Sequence, residues 1–150
     1  MPDFASSVES LQLQRGVGTS TNGAGAFGAS LNMLTDSYSK VSNGEISNSF
    51  GSFNTQKHTV KFSTGLMNNH FEIAGRLSVL KSDGYVDRGA SDMKSYFLQG
   101  TYVGKTTLIK ALAFGGKEKT YQSWYGIPES MLKTNRTFNS AGQEHPDNPY

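Results

Sequence analysis

The chain has 150 residues, enough for one domain with a substantial core. Its net charge of +2 is too small to indicate nucleic acid or an anionic surface as a partner. It contains no cysteine, which excludes disulfides and thiolate metal sites, and it has no apolar run of about 18 residues that would predict a transmembrane helix.

Two short strands joined by a glycine-rich bend are predicted within the first 36 residues. Apolar and polar side chains alternate over residues 8–15, and residues 29–35 have the composition of a second short strand. The bend over residues 16–28 is rich in glycine and other small residues, which favour backbone freedom and close approach over a packed core.

From residue 45 the sequence changes to segments of about ten residues with alternating polarity. A weak strand is predicted over residues 45–53, a strong one over 57–66 and a third over 71–80. Asn68-Asn69 suits a two-residue hairpin because asparagine tolerates positive φ. The apolar faces of the second and third strands are predicted to carry His58, Val60, Phe62, Thr64 and Leu66, and Phe71, Ile73, Gly75, Leu77 and Val79, respectively.

Two more strands are predicted, over residues 93–103 and 106–116, with a tight turn at Gly104-Lys105. Lys110 is expected on the polar face, because a lysine facing lipid at mid-depth costs about 2–4 kcal/mol. The polar loop 81–92 and the aperiodic polar tail from residue 117 are long, and the other connections are short. Strands of this length joined alternately by long loops and tight turns are typical of a transmembrane β-barrel.

Two glycine motifs resemble nucleotide-binding sequences but lie in the wrong context. The segment Gly23-Ala-Gly25-Ala-Phe-Gly28 matches the dinucleotide motif, which must open a helix, yet a strand is predicted after it. Gly100-Thr-Tyr-Val-Gly104-Lys105-Thr106 has one residue too few between its glycines for a phosphate-binding loop. The histidines lack metal-ligand spacing, and no catalytic triad pattern stands out. No enzyme activity, metal or cofactor is therefore predicted.

Aromatic and basic side chains in the long loops are the candidate ligand-binding residues. They could stack on a ligand at a barrel mouth or donate hydrogen bonds to it. The alternative is that the aromatic residues of the tail form an interfacial girdle or pack the loop itself. The candidates are Tyr85, Arg88, Tyr121, Trp124 and Tyr125.

Residues 14–35 resemble the end of the plug domain of TonB-dependent outer-membrane receptors. In that family the segment runs from a strand through Arg-Gly and a bend containing Gly-x-Gly-Ala-x-Gly to an apolar strand ending in Thr, as Arg15-Gly16, Gly23–Gly28 and Thr35 do here. Later segments are similar to the first barrel strands and loops of Bacteroidetes-type members. These segments are Gly51-Ser-Phe-Asn-Thr-Gln-Lys, Thr64-Gly-Leu, Gly75-Arg-Leu-Ser, Ser82-Asp-Gly-Tyr and Lys117-Glu-Lys-Thr-Tyr-Gln-Ser-Trp-Tyr-Gly126.

The resemblance implies an all-β fold in two parts. Residues 1–36 would be the C-terminal part of the plug domain. Residues 37–150 would be the N-terminal strands and loops of an outer-membrane barrel, antiparallel and up-and-down, about five of its 22 strands. Plug–barrel contacts would come from Arg15, Gly16, Gly23, Gly25 and Gly28: the arginine would pair with lumen carboxylates, and the glycines would let the backbone turn in a crowded lumen.

The resemblance also implies a function in the Gram-negative outer membrane. The intact receptor would bind and import a nutrient such as siderophore-bound iron or cobalamin, driven by TonB through an N-terminal box that is absent from this chain. Its partners would be TonB, a small-molecule or metal-chelate ligand and outer-membrane lipid, with no nucleic acid. By itself this length of chain is expected to be an incomplete piece that does not transport, because five strands cannot close a barrel.

A soluble β-rich module that binds a glycan or mediates adhesion is the alternative. It would use the aromatic tail as its binding surface. It would also need apolar strand faces dense enough to form a core between two sheets. The apolar faces of the predicted strands carry too few apolar side chains for such a core.

Overall fold

The structure, a computed structural model, describes residues 7–17, 23, 25, 27–121 and 123–141. In these ranges the chain is mostly β, and its strands pair antiparallel in a two-stranded sheet, β1-β2, and a five-stranded sheet, β3-β4-β5-β6-β7. The elements are β1 (Val8–Arg15), β2 (Ala29–Thr35), β3 (Asn43–Gly51), β4 (Thr55–Ser63), β5 (Phe71–Ser82), β6 (Ser91–Val103), β7 (Leu108–Thr120) and α1 (Glu129–Thr134).

The hairpin of β1 and β2 confirms the two short strands predicted near the N-terminus. Its register pairs Leu11 with Met33 and Leu13 with Leu31, so these four side chains lie on one face. All four are at least half exposed. A two-stranded hairpin is marginally stable by itself in water, so this uncovered apolar stripe calls for a further packing partner.

The larger sheet is a meander whose strand order follows the sequence. Asn68 and Asn69 form a turn where one was predicted, with positive φ of 51° and 59°, and the His70 N–H donates to the Met67 carbonyl at 3.0 Å. The predicted two-residue length was wrong, because the bridge between Met67 and Phe71 encloses His70 as well. At the β6–β7 turn, the Gly104 N–H donates to the Thr107 carbonyl at 2.7 Å. Short local bonds therefore close both tight turns at the same end of the sheet.

Several predicted boundaries were wrong. β3 begins and ends two residues earlier than predicted, so Phe53 lies in a turn with φ of 58°. β4 ends at Ser63, and Thr64 and Leu66 lie beyond it. The reason is Gly65, which has φ of +66° and where a Cβ would come within 2.6 Å of the backbone of residues 41 and 42. This close approach ends the strand and admits only glycine.

The polar tail begins later than predicted and contains a helix that the sequence did not predict. β7 continues to Thr120 because its backbone stays paired with β6 as far as Ser91. This pairing overrides the polar, glycine-containing composition of residues 115–120. The short helix α1 begins after Pro128, consistent with the preference of proline for the start of a helix.

The two faces of the five-stranded sheet differ sharply in polarity. Directly paired residues in an antiparallel sheet share a face, and the register confirms the predicted division for the residues within strands. The apolar face carries Ile46, Val60, Phe62, Phe71, Ile73, Leu77, Tyr96, Leu98, Tyr102 and Ile109. The polar face carries Glu45, Lys61, Ser63, Glu72, Arg76, Ser78, Gln99, Thr101 and Lys110.

Burial is inverted relative to a water-soluble domain. Among the described residues, eight polar or charged residues are buried, against only Phe97 and Ala141 as buried hydrophobic residues. Six of those eight polar residues lie on the polar face of the sheet. Most large side chains of the apolar face remain exposed. The interior of this fold is therefore a hydrogen-bonded polar layer, and the apolar surface faces outward.

Two glycines on the apolar face lie beneath aromatic rings of the neighbouring strand. A Cβ on Gly75 would come within 2.7 Å of the ring of its paired residue Phe62. A Cβ on Gly115 would come within 2.9 Å of the ring of its paired residue Tyr96. The rings cover the backbone that glycine leaves bare, an arrangement that supports strand register.

Gly75→Ala is expected to destabilise the sheet by about 1 kcal/mol, because the added methyl group displaces the Phe62 ring from its place over the strand. Gly100→Ala is the matched control, since a Cβ there meets nothing within 4 Å and should leave stability unchanged or slightly raised. Urea unfolding of both variants under the same solution conditions measures the difference. Equal midpoints for the two variants would contradict the packing role of the ring.

Candidate functional site

A connector, residues 36–42, crosses the polar face and is held there by Glu72. Glu72 is 2% exposed. Its Oε1 accepts hydrogen bonds from the Ser39 backbone N–H at 2.8 Å and from the Ser63 hydroxyl at 2.6 Å. Bonds from both the connector and β4 to one buried carboxylate fix the connector against the sheet.

The start of the connector is held by side chains of β6 and β7. The Asp36 carbonyl accepts bonds from Gln99 Nε2 at 3.3 Å and from Lys110 Nζ at 3.1 Å. The Asp36 carboxylate also lies 3.8 Å from Lys61 Nζ, with both side chains partly exposed. The predicted placement of Lys110 on the polar face is confirmed, and this lysine has a specific acceptor there.

A polar cavity of about 260 Å³ lies between the connector and the sheet. Its charged lining residues are Asp36, Glu45, Lys61, Glu72 and Arg76. Within the described ranges, Glu72 Oε2 and Gln99 Oε1 are buried acceptors without a hydrogen-bond partner. Buried polar atoms normally have partners, so this cavity is suited to receive additional donors.

The apolar face forms a band across the middle of the sheet. Eight residue steps separate Phe71 from Val79 on β5, about 27 Å at the usual strand rise. At its turn end, Phe71 and Tyr102 form an aromatic pair with ring centroids 5.0 Å apart, and His70 stacks on Tyr102.

A second polar cavity, of about 470 Å³, lies at the long-loop end of the sheet. It contains two of the predicted ligand-binding residues, Arg88 and Tyr121, together with lysines and aspartates from the strand ends. The other three predicted residues do not line it. Tyr85 packs edge-on against Phe53 at 5.4 Å, and Trp124 (74% exposed) and Tyr125 (57%) are open to solvent.

Arg88 also has a structural role that the sequence did not reveal. Its Nη2 donates to the carbonyls of Asn139 (2.6 Å) and Ala141 (2.8 Å). Its backbone has φ of +62°, unusual for a residue with a side chain. On the same loop, the Asp87 N–H donates to the Thr137 carbonyl at 2.8 Å. Arg88 therefore joins the loop between β5 and β6 to the segment 137–141.

Arg88→Ala is expected to release the segment 137–141 from the loop, because two charge-assisted hydrogen bonds are lost. Cleavage by a nonspecific protease near residue 140 should become several-fold faster. Arg136→Ala, which removes an exposed arginine from the same stretch, should leave the cleavage rate unchanged. The same rate in both variants would show that Arg88 does not hold the segment.

The residues predicted to contact a barrel wall lie at the end of the β1–β2 hairpin where the glycine-rich bend joins the two strands. Arg15 is exposed at the end of β1, and the Gly16 N–H donates to the Gly28 carbonyl at 2.8 Å. Gly16 and Gly23 have positive φ, which explains glycine there. A Cβ at Gly16, Gly23, Gly25 or Gly28 would meet nothing within 4 Å. Glycine at positions 16 and 23 therefore allows the backbone to turn. No other described residue packs closely against any of these four glycines.

Within the described ranges, no group of three or more histidine, aspartate or glutamate residues is placed to hold a metal ion. The same part of the chain contains no helix long and apolar enough to cross a bilayer. A scan against protein-family models finds no matching family, and searches of curated proteins and of solved structures find no match.

Proposed function

We propose that the five-stranded sheet is part of the wall of an outer-membrane β-barrel and that the β1–β2 hairpin is the end of its plug. The intact protein would be a TonB-dependent receptor that binds and imports a nutrient. In this assignment the polar face lines the lumen, the apolar face contacts lipid, and the loop-end cavity lies at the outer mouth.

The inverted burial of the sheet is the observation that carries this proposal. A contiguous apolar surface of this extent on a soluble monomer would be an aggregation liability or a docking surface. In a bilayer the same surface is stabilised by lipid, and alternation of apolar and polar residues along each strand is the barrel pattern. Lys61, Arg76 and Lys110 lie on the polar face, whereas the charged residues of the apolar face, including Lys94 and Lys117, lie toward its long-loop end.

Two further features support the same assignment. In the described residues, β3 and β7 each pair with one neighbour only, so both edges of the sheet are open. Unpaired backbone groups cannot stand in lipid, so a membrane sheet of this kind needs further strands to close it. The buried acceptors of Glu72 and Gln99 and the uncovered leucines of the hairpin would find partners inside a filled lumen.

Single cysteines test which face meets lipid, and the cysteine-free chain makes the labelling unambiguous. Leu77 (58% exposed) lies on the apolar face and Leu112 (43%) on the polar face. Each is replaced by cysteine in the protein encoded by the complete reading frame, because the five strands alone leave both sheet edges open. The protein is labelled with an environment-sensitive fluorophore and reconstituted in vesicles with brominated acyl chains. Strong quenching at Leu77→Cys and weak quenching at Leu112→Cys is the expected result. Equal quenching, or none at either position, would overturn the membrane assignment.

The coding sequence around this chain tests the receptor identity separately. An in-frame upstream segment with a signal peptide and the rest of a plug is expected. Downstream, about 17 further alternating strands are expected, the remainder of a 22-stranded barrel. Stop codons and unrelated genes on both sides would remove the receptor proposal.

A soluble glycan-binding module remains the second proposal, supported by the exposed aromatic residues Trp124 and Tyr125. Planar aromatic side chains on a surface loop give a ligand large contact area at little entropic cost. This alternative requires the apolar face to be covered by another sheet or by another copy of the chain. A monodisperse assembly in buffer without detergent, with tryptophan fluorescence responsive to added glycans, would favour it over the receptor.

A further inference from the structure

A groove of about 780 Å³ crosses the apolar face near its long-loop end. Its apolar walls come from four neighbouring strands, through Val60, Leu77, Tyr96 and Gly115. The Tyr96 ring lies over Gly115 and forms one wall of the groove with it. The surface is therefore concave at this point, with room for a flexible apolar chain.

One end of this groove is bordered by cationic residues in a single cross-strand row. The register places His58, Val79, Lys94 and Lys117 side by side on β4 to β7. Lys94 and Lys117 are directly opposite each other, both exposed, and neither forms an ion pair with another described residue. Like charges opposite each other on neighbouring strands repel, so this pair favours an external anion.

The next row outward continues the positive charge. It contains Gln56, Lys81, Asp92 and Lys119, in which one carboxylate lies between two lysines. The two rows together present four lysines and one aspartate at the boundary where the apolar band ends. The opposite end of the band has the aromatic pair Phe71 and Tyr102 instead. The positive charge is thus confined to the long-loop end of this face.

We propose that this groove and its lysine rim bind a phosphate-bearing membrane lipid. An acyl chain lies in the groove between Val60, Leu77 and Tyr96, and the phosphate contacts the ammonium groups of Lys94 and Lys117. The inference rests on the proposed function, because a face turned toward a bilayer is what presents this groove to lipid chains. Anionic headgroups at the membrane surface attract such lysines, whose stems lie along apolar surface while their charges reach the polar layer.

Native mass spectrometry of the full chain in a neutral detergent tests the proposal with dioleoyl phosphatidylglycerol as the probe. Dioleoyl phosphatidylcholine, with the same acyl chains, and inorganic phosphate are the comparison ligands. Phosphatidylglycerol should bind at least several-fold more tightly than phosphatidylcholine, and millimolar inorganic phosphate should not displace it. Equal binding of the two lipids, or displacement by free phosphate, would overturn the proposal.

The double variant Lys94→Gln/Lys117→Gln should bind phosphatidylglycerol about 30-fold more weakly, because two surface lysines are lost. Lys40→Gln/Lys105→Gln is the matched control, since it removes the same charge from the connector and from the opposite end of the sheet. This control should bind as tightly as the unchanged chain. Equal loss in both double variants would mean nonspecific attraction and would reject a site at the groove.

Failure of this proposal can be distinguished from failure of the membrane assignment. The brominated-lipid measurement at Leu77→Cys is made on the same preparation. Strong quenching there without a preference for phosphatidylglycerol would reject the lipid-binding site but support the assignment of the apolar face to the membrane. Absence of quenching removes the membrane assignment and this inference with it.

Discussion

Leu77→Arg is expected to weaken insertion of the sheet into a bilayer by about 2–4 kcal/mol, whereas Leu112→Arg is expected to change it by less than about 1 kcal/mol. Leu77 lies in the middle of the apolar band, in one row with Val60 and Tyr96. An arginine there would face hydrocarbon or deform the bilayer. Leu112 lies opposite Gln99 on the polar face, where a guanidinium group can be solvated or paired.

The comparison is sharp because both substitutions replace a partly exposed leucine in the same sheet with the same cation. The measurement is urea-dependent release from short-chain phosphatidylcholine vesicles, followed by fluorescence, of the protein encoded by the complete reading frame with each substitution. A soluble module would not insert into the vesicles at all, and an arginine in place of Leu77 would instead weaken its packing against the sheet or second copy that covers the apolar face. Insertion that is equally weakened by both variants, or by neither, would contradict the assignment of the faces.

The sequence was sufficient to predict the faces of the sheet because face assignment depends on a local period of two. Along β5, Phe71, Ile73 and Leu77 alternate with Glu72, Arg76 and Ser78, and a shift of register by one residue would move every side chain to the other face. The position of the turn at Asn68-Asn69 was also predictable, since side-chain chemistry at two adjacent positions determines the backbone there.

Features that depend on distant contacts were not predictable. Ser39 and Glu72 are 33 residues apart, and Arg88 is 51 residues from Asn139. No local pattern marks these pairs, because the side chains involved resemble other polar residues of connectors and loops. The lysine row was also missed: Lys94 and Lys117 become neighbours only through the register of β6 with β7. A search of the sequence for charged residues on, or just beyond, the apolar faces of the predicted strands would have found both lysines, but not that they lie opposite each other.

The polar layer under the connector has the role that a hydrophobic core has in a soluble domain. Glu72, Gln99 and Arg76 are each at most 3% exposed, and burial of such groups is unfavourable unless hydrogen bonds compensate for lost hydration. The bonds that Glu72 accepts from Ser39 and Ser63, and the bond that Gln99 donates to the Asp36 carbonyl, supply part of this compensation. The stability of the connector on the sheet therefore depends on a few specific polar contacts, each of which can be removed singly.

Glu72→Ala is expected to detach the connector, with a net loss of about 2 kcal/mol in the free energy of unfolding. The substitution removes two charge-assisted hydrogen bonds, each contributing about 1.5–3 kcal/mol, and leaves the Ser39 N–H without its acceptor. It also relieves the buried Oε2, which has no partner among the described residues and whose desolvation costs about 1–3 kcal/mol. The loss of two bonds outweighs the relief of one orphaned atom.

Amide hydrogen exchange at Ser39 is the most direct measurement, because that N–H donates to Glu72 and to no strand partner. In Glu72→Ala the Ser39 amide should exchange at least tenfold faster, while amides in the middle of β5 and β6 keep their protection. Glu72→Gln retains an acceptor oxygen at Oε1 and should stay within about 1 kcal/mol of the unchanged chain. Glu45→Ala removes an exposed carboxylate from the lining of the same cavity and should have no effect on Ser39. If the Ser39 amide exchanged at the same rate in Glu72→Ala and Glu45→Ala, the connector would have to be held by the Asp36 contacts with β6 and β7 instead.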